Sequence, residues 1–361
     1  MSNTNRLLTI GVPTYNRSTS LSLMLRKLST AIYGYEKDIE VIISDNCSTD
    51  DTPRVVKKWI EGQCVDLSVR SLCQLTNLGV SRNLVSLLYA STSNYFLFLG
   101  DDDCLYSENF PKLLSILKDK HPSAVIQSTW PGKNSIYKAE SISFSEALSL
   151  LYEYGNAWGG VVDTASAIDA IESRSLRHEI ETIVWPQIVF GYLAMFDLEP
   201  MRRIEAVDFE IGRPLGESLN ITNKSYWIRS LTDLLKAAAI IQSCTRTKAL
   251  RKRFISCNSR GVVGHIQSIF LNSLVDGDKT SLLEIQNLLS RHFGWRGWVL
   301  AWFLVIDTYH SVLRTIAGIF WFLFKKNEYD SLFFKIEHDR RQRKLDILDK
   351  GNSGKRYGDW F

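Results

Sequence analysis

The stretch Tyr95-Phe-Leu-Phe-Leu-Gly-Asp-Asp-Asp103 decides how the rest of the chain is read. Its five apolar residues are too few for a helix and read as a buried strand closed by a glycine. Three adjacent carboxylates stand just after it. They repel one another and have no partner in the local sequence, so a bound divalent cation is the simplest compensation. Taken alone, Asp-Asp-Asp is a solvated turn more often than a metal site. Its place after a buried strand, in line with two other polar loops, favours the metal.

Around this stretch, short runs rich in Val, Ile and Phe alternate with segments of helical spacing. Strands are expected at Leu7–Val12, Ile39–Ser44, Asp66–Leu72, Tyr95–Leu99 and Ser123–Ser128, with helices at about Leu21–Tyr33, Pro53–Glu61, Ser81–Ala90 and Glu108–Lys118. This is the pattern of an α/β protein with a mostly parallel sheet and helical crossovers. Pro53 suits a first helical turn and Ser107 suits a cap before Glu108. In such sheets ligands sit beyond the carboxyl ends of the strands. The loops there are polar: Pro13-Thr-Tyr-Asn-Arg17 after the first strand and Asp45-Asn-Cys-Ser-Thr-Asp-Asp51 after the second.

Four runs, Thr9-Ile-Gly-Val-Pro-Thr-Tyr-Asn-Arg17, Val41-Ile-Ile-Ser-Asp-Asn-Cys-Ser-Thr-Asp50, Asn77-Leu-Gly-Val-Ser-Arg-Asn83 and Phe98-Leu-Gly-Asp-Asp-Asp103, follow the order and spacing of family 2 glycosyltransferases. Over about the first 130 residues the chain resembles that family, whose fold is GT-A, a Rossmann-type sheet. The resemblance implies that Pro13, Thr14 and Tyr15 form the nucleotide loop. It implies that Asp45 accepts a hydrogen bond from a pyrimidine ring N–H, a task suited to a carboxylate because it only accepts. The family usually has a second acid next, where this chain has Asn46. Ser48 and Asp50 are read as tying down the loop and capping the next helix. Arg82 is expected to reach the pyrophosphate and Gly79 to relieve backbone strain. Asp101 is expected beside the nucleotide. Asp102 and Asp103 are expected to hold Mg²⁺ or Mn²⁺ between the two phosphates of a nucleotide sugar.

Transfer to a hydroxyl needs a group that removes the acceptor proton. Inverting members of the family often carry it as Glu-Asp near a helix start, and this chain has no such pair in the expected stretch. Glu181 is the first candidate, with Glu179 and Asp163 as alternates; each also reads as a plain surface carboxylate. Trp158 and Trp185 read as core or as an apolar sugar platform.

Beyond about residue 140 the alternation breaks down, and the remainder reads as mainly helical with one strand near Ile204–Ile211. Ser143-Phe-Ser-Glu146 and Ser281-Leu-Leu-Glu284 have capping-box spacing and mark helix starts. The expected division is a GT-A nucleotide-sugar-binding and catalytic domain over 1–215 and a helical region over 216–361, membrane-associated or acceptor-related. Trp298–Phe324 is strongly apolar but is broken by Asp307, His310 and Arg314 into runs about half the ~20 residues a spanning helix needs. Lys325-Lys326 follows, and from there to Phe361 ten Lys/Arg face seven Asp/Glu. An interfacial helix on an anionic leaflet and a buried core or dimer-interface helix both fit. The basic cluster from Arg246 to Arg253 reads either as a solvated helix face or as a site for phospholipid headgroups or a lipid diphosphate.

A net charge of +4 over 361 residues is too small to be a nucleic-acid footprint, so no nucleic-acid partner is expected. The six cysteines show no C-x-x-C pair, which argues against a zinc site or a disulfide framework. Met1–Arg6 is short and polar and runs straight into a strand, so a cytoplasmic chain is expected, peripheral on the inner face of the membrane if it meets one.

Together these readings point to a divalent-metal-dependent, inverting glycosyltransferase of surface polysaccharide synthesis. It would move a sugar from a UDP or dTDP donor to a glycan or lipid-linked glycan. The alternatives are an inactive GT-A-fold glycan-binding or scaffold protein and a sugar nucleotidyltransferase. The nucleotidyltransferase generally carries a glycine-rich basic phosphate loop that Gly11-Val-Pro-Thr-Tyr-Asn16 lacks.

Overall fold

A computed structural model describes residues 6–127, 140–142, 160–183, 186–196, 204–207 and 211–212, with scattered positions between 232 and 287. Nearly all of these belong to one compact unit, Met1–Gly216 with Lys236–Gly261. The Trp298–Phe324 stretch, the Arg246–Arg253 cluster, both capping boxes, Trp158 and Trp185 lie outside the described residues.

Chain order begins β1 (Leu8–Thr14), α1 (Ser18–Ala31), β2 (Ile39–Asp45), α2 (Thr52–Glu61), β3 (Ser68–Cys73), α3 (Val80–Ala90) and β4 (Tyr95–Phe98). It continues with β5 (Cys104–Leu105), α4 (Phe110–Lys120), β6 (Ala124–Gln127), β7 (Glu140–Ile142) and β8 (Gly160–Asp163). After β8 come α5 (Thr164–Glu172), α6 (Arg177–Ile180), α7 (Pro186–Phe196), β9 (Ile204–Val207) and β10 (Ile211–Gly212). Among the described residues eight strands form one sheet in the order β3-β2-β1-β4-β8-β6-β9-β7. β3, β2, β1 and β4 are mutually parallel. β8 enters antiparallel between β4 and β6, β9 returns parallel to β6, and β7 closes antiparallel.

Strand alternation sorts the core into two layers, because successive side chains leave opposite faces of the sheet. Ile39, Val41, Ile43, Tyr95, Leu97 and Val125 pack on one face against Leu21, Met24, Leu25 and Leu28 of α1 and Phe110, Leu113 and Leu117 of α4. Ile42, Phe96, Phe98 and Ile126 pack on the other against Leu84, Val85, Leu87 and Leu88 of α3 and against α5 and α7. The i, i+3, i+4, i+7 spacing of the α1 set is what gives that helix one buried stripe. All seven residues of β2 are buried, as its position as a central strand requires, and the one acid inside its apolar run, Glu40, is paired with Arg70 and Thr9.

Three sequence expectations change. The cap of α4 is Asn109 rather than Ser107, with Phe110 and Pro111 opening the helix. The strand expected at Ile204–Ile211 is two short strands, β9 and β10. The segment expected to be mainly helical supplies β8 to the middle of the sheet: only Val161 and Val162 of its four residues carry apolar bulk, too little for a period-2 signal.

Candidate active site

The carboxyl ends of β1, β2 and β4 sit side by side, with Thr14 paired in register with Asp45 and Gly11 with Phe98. Their loops are stitched together by polar contacts. Asn16, whose backbone is left-handed at φ 52°, donates its N–H to Ser48 Oγ at 2.8 Å, and its Oδ1 accepts from Thr49 N at 2.7 Å. Asp50 accepts from Thr52 N at 2.9 Å and Ser18 N at 3.1 Å. The Thr52 hydroxyl and these amides hold its carboxyl down at about 2. Ser48 and Asp50 thus clamp the β1 and β2 loops together.

Asp45 ends β2 and is 5% exposed; its Oδ1 accepts from Ser48 N at 3.1 Å. Asn46 beside it is also buried. Its Nδ2 donates to Asn77 Oδ1 at 2.9 Å and its Oδ1 accepts from Leu78 N at 2.8 Å. An acid could not donate the first of these, which gives a local reason for an amide at this position. Asn77 Oδ1 also accepts from Gly79 N at 2.8 Å, and Gly79 adopts φ 80°, a conformation suited to glycine. Asn83 pairs with Ser44 through its side chain and is structural.

The three aspartates are not equivalent. Asp101 turns inward: Thr14 Oγ1 donates to its Oδ2 at 2.8 Å, and Arg17 lies 3.8 Å from its Oδ1. Burial pushes its carboxyl up to about 6; Asp102 adds to the rise, while Arg17 and the Thr14 hydroxyl oppose it. Asp102 Oδ2 accepts from Arg17 Nη1 at 2.8 Å. The triplet therefore has a positive partner after all, supplied from the β1–α1 loop, and Thr14 serves the triplet rather than facing outward. Arg17 is the residue that sequence reasoning quoted but gave no role; an unassigned cation in a loop beside three carboxylates was the available signal.

Asp102 and Asp103 border the space above Gly100. A Cβ there would stand 2.5 Å from Asp103 Oδ2 and 3.3 Å from Asp102 Oδ1, so only glycine leaves this cradle open. Its donors are hard carboxylate oxygens, the class that Mg²⁺ and Mn²⁺ take. Among the described residues no group of three or more His, Cys, Asp or Glu is gathered around one point. β5 follows the triplet and pairs antiparallel with β10, bringing Ile211 and Gly212 beside this loop.

The other expected site residues divide. Pro13 is half-buried and Tyr15 is 43% exposed at the rim of the same loops. Arg82, on the first turn of α3, points to Glu181 Oε2 at 3.7 Å, and Glu181 also accepts from Arg177 at 3.1 Å. Glu181 thus reaches the carboxyl-end side of the sheet through α3. Glu179 is exposed on α6. Asp163 is not brought to these loops. It pairs in register with Tyr95, at the opposite end of β4, about 10 Å from Phe98 at ~3.3 Å per residue, and its Oδ1 caps α5 by accepting from Ser166 N at 2.8 Å.

Comparison with known proteins agrees with this geometry. Residues 9–166 match the family model "Glycosyl transferase family 2". An abequosyltransferase, RfbV, of Salmonella typhimurium is 30% identical over 111 residues, 31% of this chain and 32% of the relative. An uncharacterized glycosyltransferase of Haemophilus influenzae is 31% identical over 112 residues, 31% of this chain and 35% of the relative. The matched stretch thus spans about a third of the length of these curated relatives. The crystal structure of S. aureus TarS 1-349 in complex with UDP-GlcNAc superposes with a TM-score of 0.53 at 14% identity, over 82% of this chain and 90% of that one. A second TarS 1-349 structure gives 0.54 at 13% identity over the same shares, a likeness of fold. The fold is the α/β GT-A arrangement, and residues 9–166 are a glycosyl transferase family 2 domain.

Proposed function

We propose that the chain transfers a sugar from a nucleotide-diphosphate donor to a hydroxyl of a glycan or lipid-linked glycan, with inversion at the anomeric carbon. The observation that carries this reading is the convergence of the β1, β2 and β4 loops, fastened by Thr14 to Asp101 and Arg17 to Asp102, on one rim of the sheet. Asp45, at the end of β2, accepts from a pyrimidine N–H in this reading, because a carboxylate only accepts, and this favours UDP or dTDP donors. The UDP-GlcNAc complex of TarS, a relative in fold, supports a uridine donor. Asp102 and Asp103 would hold Mg²⁺ or Mn²⁺, which neutralises charge on the departing diphosphate.

The chain's own residues supply the rest. Pro13 and Tyr15 border the base, and Arg82 turns from Glu181 to the pyrophosphate. The acceptor oxygen attacks the anomeric carbon as the bond from that carbon to the diphosphate oxygen breaks on the opposite side. Glu181 takes the acceptor proton; of Glu181, Glu179 and Asp163 it is the one ion-paired to a residue of the α3 first turn. Asp163, a helix cap at the far end of β4, is withdrawn as a base. Residues 1–215 perform this chemistry, and 216–361 meet the acceptor or a membrane surface on the cytoplasmic side. No helix among the described residues is long and apolar enough to cross a membrane.

The test is a thermal-unfolding screen of nucleotide sugars, each with Mn²⁺ and with EDTA, because a ligand that binds only the folded state raises apparent stability. Stabilisation by UDP or dTDP sugars that requires the metal is expected. Equal curves for every nucleotide in both conditions would contradict the reading and favour an inactive scaffold.

A further inference from the structure

Gln187 is 5% exposed, and neither its Oε1 nor its Nε2 has a hydrogen-bond partner among the described residues. Buried polar groups are almost always paired, so an orphaned amide asks for an absent partner. Its place in the fold says where that partner lies. Phe190, one turn further along α7, has its ring centroid 5.5 Å from that of Phe98, the last residue of β4. A Cβ on Gly191 would lie 3.9 Å from Val162, which pairs with Phe96. Glu181, just ahead of α7, lies 3.7 Å from Arg82 on the first turn of α3, and Phe190 meets the last residue of β4, so the first turn of α7 stands on the carboxyl-end side of the sheet. Gln187 belongs to that first turn, on the side where the chain passes from Phe98 through Gly100 into Asp101.

We infer that Gln187 is a donor-sugar-binding residue, its amide donating to and accepting from hydroxyls of the transferred sugar. This rests on the nucleotide-sugar reading above. The chemistry selects the class of partner. A primary amide offers donors and an acceptor together, and a sugar hydroxyl is both. A carboxylate or phosphate would satisfy only Nε2, and a cation only Oε1. Burial favours the donor sugar, lodged next to the diphosphate, over an acceptor arriving from solvent. An unpaired amide held ready also makes recognition steep: a sugar lacking the matched hydroxyl leaves it orphaned.

The experiment uses the full chain in Mn²⁺, titrated calorimetrically with UDP and with UDP-glucose, UDP-galactose, UDP-GlcNAc and UDP-GalNAc. For Gln187→Met, which keeps the shape and removes both polar groups, the Kd for UDP should stay within twofold. The Kd for the best-bound UDP-sugar should rise at least tenfold, and the melting temperature of the unliganded chain should hold or rise. Equal effects on UDP and the UDP-sugar, or no effect on either, would overturn the inference. So would a lowered melting temperature, which would show the amide holding the fold. Unchanged UDP-sugar binding with lost turnover would assign the hydroxyl to the acceptor and defeat the donor assignment. A parent chain that binds UDP but none of the four sugars also contradicts it. A parent that binds no nucleotide fails the donor reading itself, independently of Gln187.

Discussion

Asp101 shows what a single residue contributes and costs. Water barely reaches its carboxyl, and burial raises its pKa from 3.8 to about 6 despite the nearby Arg17. The raised value favours the protonated form in the folded state. Between about pH 4 and pH 6 the folded chain therefore keeps a proton that the unfolded chain has released, and stability falls as pH rises through that window and levels off above it. The effect is at most about 3 kcal/mol, from roughly 1.4 kcal/mol per pKa unit. Urea unfolding in EDTA at pH 4.5 and pH 7 should show the parent more stable at the lower pH by more than Asp101→Asn is; parallel behaviour would place the shift elsewhere. Asp45 answers a different question. Asp45→Ala should weaken binding of uridine nucleotides by about 1–3 kcal/mol, the range for a hydrogen bond to a charged group, and leave the metal titration unchanged. Calorimetry with UDP at fixed Mn²⁺ reads it, and an unaltered Kd would leave Asp45 with only its Ser48 contact as a role.

At the scale of elements, the polar turn between β3 and α3 is built from side chains rather than regular hydrogen bonding. Asn46 and Asn77 bracket it, and Gly79 lets the chain enter α3 at φ 80°, ψ 161°. That region is essentially reserved for glycine, so Gly79→Ala should cost about 1–3 kcal/mol of stability in chemical denaturation although a Cβ would meet nothing there. A neutral substitution would show that the turn relaxes. This turn was legible through the resemblance carried by Asn77-Leu-Gly-Val-Ser-Arg-Asn83, whereas β1, β2 and β4 showed in apolar runs that need no knowledge of their neighbours. β8 was not legible. Its four residues are a strand because the gap between β4 and β6 accepts them, a tertiary fact with no local signature.

For the whole molecule the same division holds between what is local and what is assembled. That Asp45, Asp101, Asp102 and Asp103 would stand together at the carboxyl ends of the strands was legible, because polar residues after apolar strands stand out in a sheet of this type. Arg17 as partner of the triplet and Gln187 as an unpaired buried amide were not, since the first is a contact across 85 residues of sequence and the second is defined by its tertiary surroundings. Asp163 looked like a candidate because spacing alone does not say at which end of a strand a residue lies.

The central claim is that the loops around Asp102 and Asp103 make a metal-dependent donor site on an otherwise self-sufficient α/β unit. Titration of UDP into the full chain with Mn²⁺, with EDTA, and into Asp102→Ala and Asp103→Ala with Mn²⁺ tests it most directly, alongside melting curves for each variant. The account predicts binding by the parent only with the metal, loss of at least tenfold affinity in both variants, and melting temperatures that stay near the parent's or rise as charge repulsion is relieved. Parent-like UDP binding by both variants in Mn²⁺, or by the parent in EDTA, would contradict it.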